Sequence, residues 1–236
     1  FIIEDFAKAQ INTNYILISE DEETGQAFIT VNEEGQNTIL VYGGANMTLS
    51  ATDVDKNKEA FSDADYVVAQ LEIPIEAIEQ AFKIAREHKV TTVLNPAPAV
   101  ELPKSLLSLT DIIIPNETEA ELLSGISIHS EKNMHQTVAY FLNLGISTVL
   151  ITLGEQGTYY ATKNEAKMIP ACSVKAVDTT AAGDTFIGAL VSELKPDLSN
   201  IKEAIIFANQ ASSLTVQRKG AQVSIPTRLE VQEAYH

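Results

Sequence analysis

Thiols, basic side chains and long apolar runs are all scarce in this chain, and each scarcity narrows what it can do. Cys172 is the one cysteine, so no intrachain disulfide can form and a reducing, cytosolic setting is the simplest. No His or Lys adjoins it to mark a nucleophile, which leaves a structural thiol. Sixteen Lys and Arg face 32 Asp and Glu, a net charge of −16. Nucleic acid is thereby disfavoured as a partner, because its binding is driven by neutralising phosphates. A small anion is not, since backbone amides at a helix N-terminus hold phosphate without side-chain charge. No uninterrupted apolar stretch approaches the roughly 18 residues of a membrane span. The histidines, His88, His129, His135 and His236, lack metal-ligand spacing and read as surface residues. There is no internal repeat and no low-complexity segment. The chain opens on Phe1-Ile2-Ile3 with no basic n-region or cleavage pattern, so it is expected to be a fragment whose beginning is missing.

What is present suits a folded protein: 45% of residues are apolar and 20% charged. A length of 236 residues fits one large α/β domain with an appendage better than two equal domains. Short strands are predicted at 15–19, 27–31 and 38–42, separated by polar turns that include Asp21-Glu22-Glu23 and Asn32-Glu33-Glu34-Gly35. They read as a small antiparallel sheet. Beyond Gly43-Gly44-Ala45-Asn46 the pattern changes to buried strands alternating with amphipathic helices. Strands are predicted at 66–71, 91–94, 111–114 and 148–153, and helices from Pro74 to about Lys89, then near 117–124 and 132–144. Strand-like segments near 157–161 and 166–169 precede helices near 183–194 and 200–215. Such alternation requires crossover connections, and so an α/β fold whose mostly parallel sheet is flanked by helices on both faces. Ligands in such sheets sit beyond the carboxyl ends of the strands.

Three motifs fall at such places. In Val177-Asp178-Thr179-Thr180-Ala181-Ala182-Gly183-Asp184, small residues let the backbone approach a ligand, and the helix that follows aims its free N–H groups there. Ala181, Ala182, Gly183 and Asp184 can thus form an anion hole for phosphate. Asp184 would stand ready to accept a proton from an attacking hydroxyl. The plainer alternative makes Asp184 a first-turn helix acid and Asp178 and Thr180 turn residues. Asn116-Glu117-Thr118-Glu119 follows a strand, with Asn116 and Glu119 placed to form a capping box, a ligand site, or both. Thr152-Leu153-Gly154-Glu155-Gln156-Gly157 ends another strand in a turn against which a nucleotide could lie, although a lone G-x-x-G is commonly just a turn. Read alone, Glu72 is a solvated acid at a helix start, Asn209 a satisfied helix-surface residue and Lys219 a surface cation.

In order and spacing, across nearly the whole chain, these motifs resemble the signatures of the ribokinase and adenosine kinase family of carbohydrate kinases. Asn95-Pro96-Ala97-Pro98-Ala99 and Arg218-Lys219-Gly220-Ala221 are similar to its ribokinase-type members. The resemblance implies an ATP-dependent sugar kinase acting on a primary hydroxyl, foremost the 5-hydroxyl of D-ribose, to give ribose 5-phosphate and ADP. Another sugar or nucleoside, or a non-catalytic nucleotide-binding fragment, is the alternative. By resemblance Asp184 is the base and a sugar contact, Ala181 to Gly183 stabilise the transferring charge, and Glu72 meets the sugar hydroxyls. ATP falls to Asn116, Thr152, Leu153, Gly154, Glu155, Gln156, Gly157, Gly183, Asp184 and Asn209. Mg²⁺ falls to Glu119 through water, and a monovalent cation, K⁺, to Asp178, Thr180, Thr215, Arg218, Gly220 and Ser224, mostly through backbone oxygens. Residues 12–44 become part of a β lid through which two chains pair as a homodimer. Residues 1–11 and 45–236 become the nucleotide- and sugar-binding core. Two departures stand out. Ala181 sits where the wider family often has glycine, which is harmless if its φ stays negative. The family's N-terminal portion, with a sugar-binding Asp and a G-G-K-G-x-N segment, has no counterpart, and Gly43-Gly44-Ala45-Asn46 resembles instead the G-A-N that joins lid to core.

Overall fold

A computed structural model describes residues 2–31 and 37–235. A short helix, α1 (Ile2–Lys8), precedes β1 (Gln26–Val31) and β2 (Asn37–Tyr42). These two strands pair antiparallel with Phe28 opposite Leu40; the Asn32-Glu33-Glu34-Gly35 turn lies outside the described residues. The third strand expected at 15–19 is not formed. Its apolar, β-branched composition suits a strand, but a strand exists only where a neighbour accepts its backbone groups. Here Ile18 is left 77% exposed.

From there the chain alternates as expected: α2 (Ala51–Lys56), β3 (Tyr66–Ala69), α3 (Ile75–His88), β4 (Thr91–Leu94), α4 (Lys104–Ser108), β5 (Ile112–Ile113), α5 (Glu117–Ser124) and α6 (Glu131–Asn143). There follow β6 (Thr148–Thr152), β7 (Thr158–Thr162), β8 (Ala166–Ile169), α7 (Ala182–Glu193), α8 (Ile201–Thr215) and α9 (Arg228–Tyr235). The sequence pattern gave no sign of α1, α2, α4 or α9, each eight residues or fewer, where a 3.6-residue repeat is weak; α5, equally short, was marked by its Asn116-Glu117-Thr118-Glu119 capping motif.

The main sheet runs β3-β4-β5-β6-β7-β8. Its first four strands are parallel, and β7 and β8 are antiparallel additions. Strand β5 is shorter than predicted because the Asp111 carboxylate accepts from the Thr92 amide at 2.9 Å while the Thr92 hydroxyl accepts from the Asp111 amide at 2.8 Å. Side chains thus replace the ladder there.

Alternation along the strands explains the two helical layers. Val93, Ile112, Leu150 and Tyr160 turn toward Phe186, Leu190, Ala204 and Ala208 of α7 and α8. The intervening Ile113, Val149, Ile151 and Tyr159 turn toward Ala120, Met134, Val138 and Phe141 of α5 and α6, and Leu94 meets Ile78 and Phe82 of α3 on that same face. Each such side chain contributes about 1.5–3 kcal/mol on burial. The parallel pairing of β3 to β6 brings their carboxyl ends to one edge.

Candidate active site

Each of the first three parallel strands is followed by an amide side chain: Gln70 after β3, Asn95 after β4 and Asn116 after β5. The fourth, β6, runs into Leu153 and Gly154. A side-chain chain crosses this edge. Asn95 Nδ2 donates to the Ile114 carbonyl at 2.8 Å, and Gln70 Nε2 donates to Asn95 Oδ1 at 3.2 Å. The same Gln70 Nε2 donates at 3.2 Å to Oδ1 of Asp184, the third residue of α7 and 114 positions away in sequence. Long-range folding alone brings these groups together.

The first turn of α7 is unusual. Its N-cap is Ala181, whose side chain can accept nothing, and whose φ of +60° lies in the left-handed region. The condition under which alanine would be harmless here, a negative φ, is not met: the turn demands the conformation that favours glycine and imposes it on an alanine at a cost of about 1–2 kcal/mol. The Ala182 amide donates to the Thr179 carbonyl at 3.2 Å. The amides of Gly183 and Asp184 have no acceptor among the described residues, as the open start of a helix leaves them. Of the amides expected to hold an anion, that of Ala182 is the one already engaged. Ser212 on α8 donates to the Ala182 carbonyl at 2.9 Å, which anchors this turn to the neighbouring helix.

Asp178 fixes the turn from its other end. One carboxylate oxygen accepts from the Thr180 amide at 3.0 Å and the Thr180 hydroxyl at 2.7 Å, and the other accepts from the Gly220 amide at 3.0 Å. The Gly220 amide above all, then the two Thr180 donors, hold its pKa down at about 2. Asp178, Thr180 and Gly220, predicted together from the cation-site pattern, are therefore in direct contact. The Thr215 hydroxyl is buried and donates to Thr185 at 3.0 Å, and the buried Ser224 donates to the Ala221 carbonyl at 2.6 Å. The Arg218 guanidinium is drawn to Glu230 at 2.7 Å, so what it could offer a cation is its carbonyl. Among the described residues no cluster of three or more His, Cys, Asp or Glu side chains is placed to hold a metal.

Asn116 and Glu119 form a closed capping box. Asn116 Oδ1 accepts from the Glu119 amide, while the Glu119 carboxylate accepts from the Asn116 amide and from Asn116 Nδ2, each at 2.8 Å. Glu119 is only 7% exposed, and burial pushes its pKa up. A backbone bridge pairs Asn116 with Thr152, the Thr152 amide donating to the Pro115 carbonyl at 3.0 Å. The two motifs predicted separately for nucleotide are adjacent.

The Gly154–Gln156 segment is a 3-10 turn. Gly157 has a φ of +108°, and a β-carbon there would collide with the Ile169 carbonyl, so this glycine permits β8 to close on the turn. Gly154, with a φ of +54°, has open space around it. Asn209 is buried at 7% exposure rather than at the helix surface, and its side chain is satisfied internally. It accepts from Thr158 at 2.9 Å and donates to the Ile169 and Pro170 carbonyls at 3.3 and 3.2 Å. Glu72 is exposed two residues beyond Gln70. Sequence reading passed over Gln70 and Asn95 as site residues; the available signal was that each is the first polar residue after an apolar parallel strand.

A groove of about 280 Å³ opens beside Asp184, lined by Gly188 and Ser192 of α7, Phe207 of α8, and Ile225 and Arg228. A larger depression of about 530 Å³ along α6, lined by Glu131, Lys132 and His135, contains none of the groups above. Of the site groups described above, Asp184 is the one that lines the smaller groove.

Residues 1–228 match the model of the pfkB family carbohydrate kinases. The chain is 63% identical over 233 residues to ribokinase of Staphylococcus aureus, covering 99% of this chain and 77% of that protein. It is 53% identical over 227 residues to a bifunctional ribokinase/ribose-5-phosphate isomerase A of Fructilactobacillus sanfranciscensis, covering 96% of this chain and 42% of the relative. Identity to a deoxyribokinase of Salmonella typhimurium is 34% over 221 residues, covering 92% and 71%. Among solved structures, ribokinase of Thermotoga maritima superposes with a TM-score of 0.86 at 38% identity, covering 98% of this chain and 75% of that one. Arabidopsis thaliana ribokinase complexed with ribose and ATP gives 0.84 at 34%, covering 90% and 69%. A putative ribokinase II of E. coli in complex with ATP and Mg²⁺ gives 0.81 at 26%, covering 98% and 77%.

Proposed function

The chain belongs to the pfkB family of carbohydrate kinases, and on that footing we propose that it carries the γ-phosphoryl group of ATP to the 5-hydroxyl of D-ribose, giving ribose 5-phosphate and ADP. The observation that carries this reading is the first turn of α7, where the Asp184 carboxylate and the unengaged amides of Gly183 and Asp184 share one turn. In the step they serve, the sugar O–H bond breaks and its proton passes to Asp184. The freed oxygen bonds the γ-phosphorus, and the β–γ bridging oxygen leaves with ADP. The amides are donors aimed where negative charge develops on the transferring group.

Glu72 is assigned to the sugar hydroxyls. ATP would lie along Asn116, the Thr152–Gly157 strand end and turn, and Gly183, with Asn209 supporting the nucleotide wall from within through Thr158. A buried carboxylate with no Lys or Arg paired to it among the described residues suits a dication reached through water, and Glu119 is such a group. Bound there, Mg²⁺ would neutralise phosphate charge. For K⁺ the fitting feature is Asp178 held ionised beside Thr180 and Gly220, with the carbonyls of Thr215 and Arg218 and Ser224 completing the set. We also assign residues 12–44 to a lid, residues 1–11 and 45–236 to the core, and a homodimer to lid pairing, since Phe28, Leu40 and Tyr42 expose apolar surface that a two-stranded sheet cannot bury alone. A monomeric mass by light scattering at micromolar concentration would remove the dimer. ATP as co-substrate favours the cytoplasm; among the described residues no helix is long and apolar enough to cross a membrane.

A second acceptor, deoxyribose, is favoured by the likeness to the deoxyribokinase, though at 34% identity against 63% for the ribokinase. ADP release from the intact protein with ribose, 2-deoxyribose, fructose and adenosine separates them. Ribose should lead 2-deoxyribose by about tenfold or more in kcat/KM, because a site built around a hydroxyl leaves polar groups unpaired without it. The absence of ribose-dependent ADP release would overturn the proposal.

A further inference from the structure

The amide orientations at the sheet edge are forced by chemistry. The Ile114 carbonyl can only accept, so Asn95 must present Nδ2 to it and Oδ1 to Gln70. Gln70 must then present Nε2, and with it both an N–H to Asn95 and an N–H to Asp184 Oδ1. Backbone bonds fix the rest: the Asn95 amide donates to the Ala69 carbonyl at 2.9 Å, and the Leu71 amide to the Ala97 carbonyl at 2.8 Å. The Asp184 carboxylate stands at the start of a helix whose N-cap offers it no side chain. Its one side-chain partner among the described residues is Gln70.

We propose that Gln70 is the positioning residue of the Asp184 base: it occupies Oδ1 and turns Oδ2 toward the attacking hydroxyl, with Asn95 and the Ile114 carbonyl holding Gln70 in place. The inference rests on the reading of Asp184 as the base. It assigns a role in the reaction to Gln70, which no motif marks, and to Asn95, which opens the Asn95-Pro96-Ala97-Pro98-Ala99 segment with no role given to it there. Toward Asp184 Gln70 acts as a donor, through Nε2, so it takes no proton in the step; the hydroxyl proton ends on Asp184 Oδ2.

The test uses Gln70→Met, which fills the same volume without the N–H, in the intact kinase, with Asp184→Asn alongside. Gln70→Met should lower kcat between about tenfold and a hundredfold, the scale set by small misplacements of a reacting group, while KM for ATP stays within about twofold. Gln70→Glu sets a second carboxylate against the base, and the acidic limb of its kcat profile should move to higher pH. If Gln70→Met melts early, Gln70→Glu, which keeps shape and polarity, carries the decision through its pH profile. Wild-type kcat in Gln70→Met, or an unmoved acidic limb in Gln70→Glu, overturns the proposal provided Asp184→Asn is inactive. Retained turnover in Asp184→Asn would instead overturn the reading of the base itself.

Discussion

Helices α5 and α7 begin at the same edge of the sheet and treat their first turns in opposite ways. At α5, Asn116 and Glu119 bond each other three times, so the cap is closed by its own side chains and the carboxylate is shielded, while the Glu117 and Thr118 amides have no acceptor among the described residues. At α7, the N-cap is an alanine in a left-handed conformation, and the amides of Gly183 and Asp184 have no protein acceptor among the described residues. The closed start stiffens the molecule; the open start is kept in shape from outside, by Asp178 through Gly220 and by Gln70 through Asn95. Each turn leaves two amides without an acceptor among the described residues, so what separates them is the acid: Glu119 is buried and bound to its own cap, and Asp184 is exposed with Gln70 as its side-chain partner.

The sharpest way to break the contrast is Asp184→Asn, which should reduce turnover on the order of 10³-fold while ATP affinity by calorimetry stays within about twofold of wild type. Near-normal turnover would make the two helix starts functionally alike. Next in size, Asn116→Ala opens the closed box and should lower unfolding free energy by about 1–2 kcal/mol in urea melts. No comparable cap exists to delete at α7.

Acid separates the two turns by sign. The Asp178 pKa, held at about 2 against an ordinary 3.8, means that its contribution to stability is complete above pH 3.8 and drains away as pH falls toward 2. Glu119 shifts the other way, so its burial as an ion costs stability at neutral pH and protonation relieves that cost. Asp178→Asn should therefore flatten the acid limb of the stability profile between about pH 4 and 2, as read by circular dichroism. The smallest effect belongs to Ala181→Gly. Relief of left-handed strain worth about 1–2 kcal/mol is opposed by roughly 0.5–1 kcal/mol of added unfolded-state freedom, so the melting temperature should rise by no more than about 4 °C.

The layered α/β architecture and its long helices were legible because hydrophobic periodicity reports directly on burial. Local motifs were legible too, since Asn116 with Glu119 and Asp178 with Thr180 lie within one turn of each other. What escaped was decided by partners distant in sequence. Residues 15–19 have the composition of a strand but pair with neither β1 nor β2. The left-handed φ of Ala181 was not legible, because its side chain alone says nothing of the turn it must complete. Asn209 looked like a surface amide until β7 and β8 closed over it.

For the turn at 178–184, the sequence by itself determined an acid at a helix start and small residues before it, because capping and close backbone approach are properties of a few adjacent residues. Only the tertiary structure decided that this acid meets Gln70, that Asp178 reaches Gly220, and that the Asn116 box lies against Thr152. The Gln70 and Asn116 contacts depend on the parallel order of β3 to β6 delivering their carboxyl ends to one edge, and Asp178 meets Gly220 because the Val177 and Asp178 amides bond the Val216 carbonyl at the end of α8; no local pattern encodes which of these ends will be neighbours.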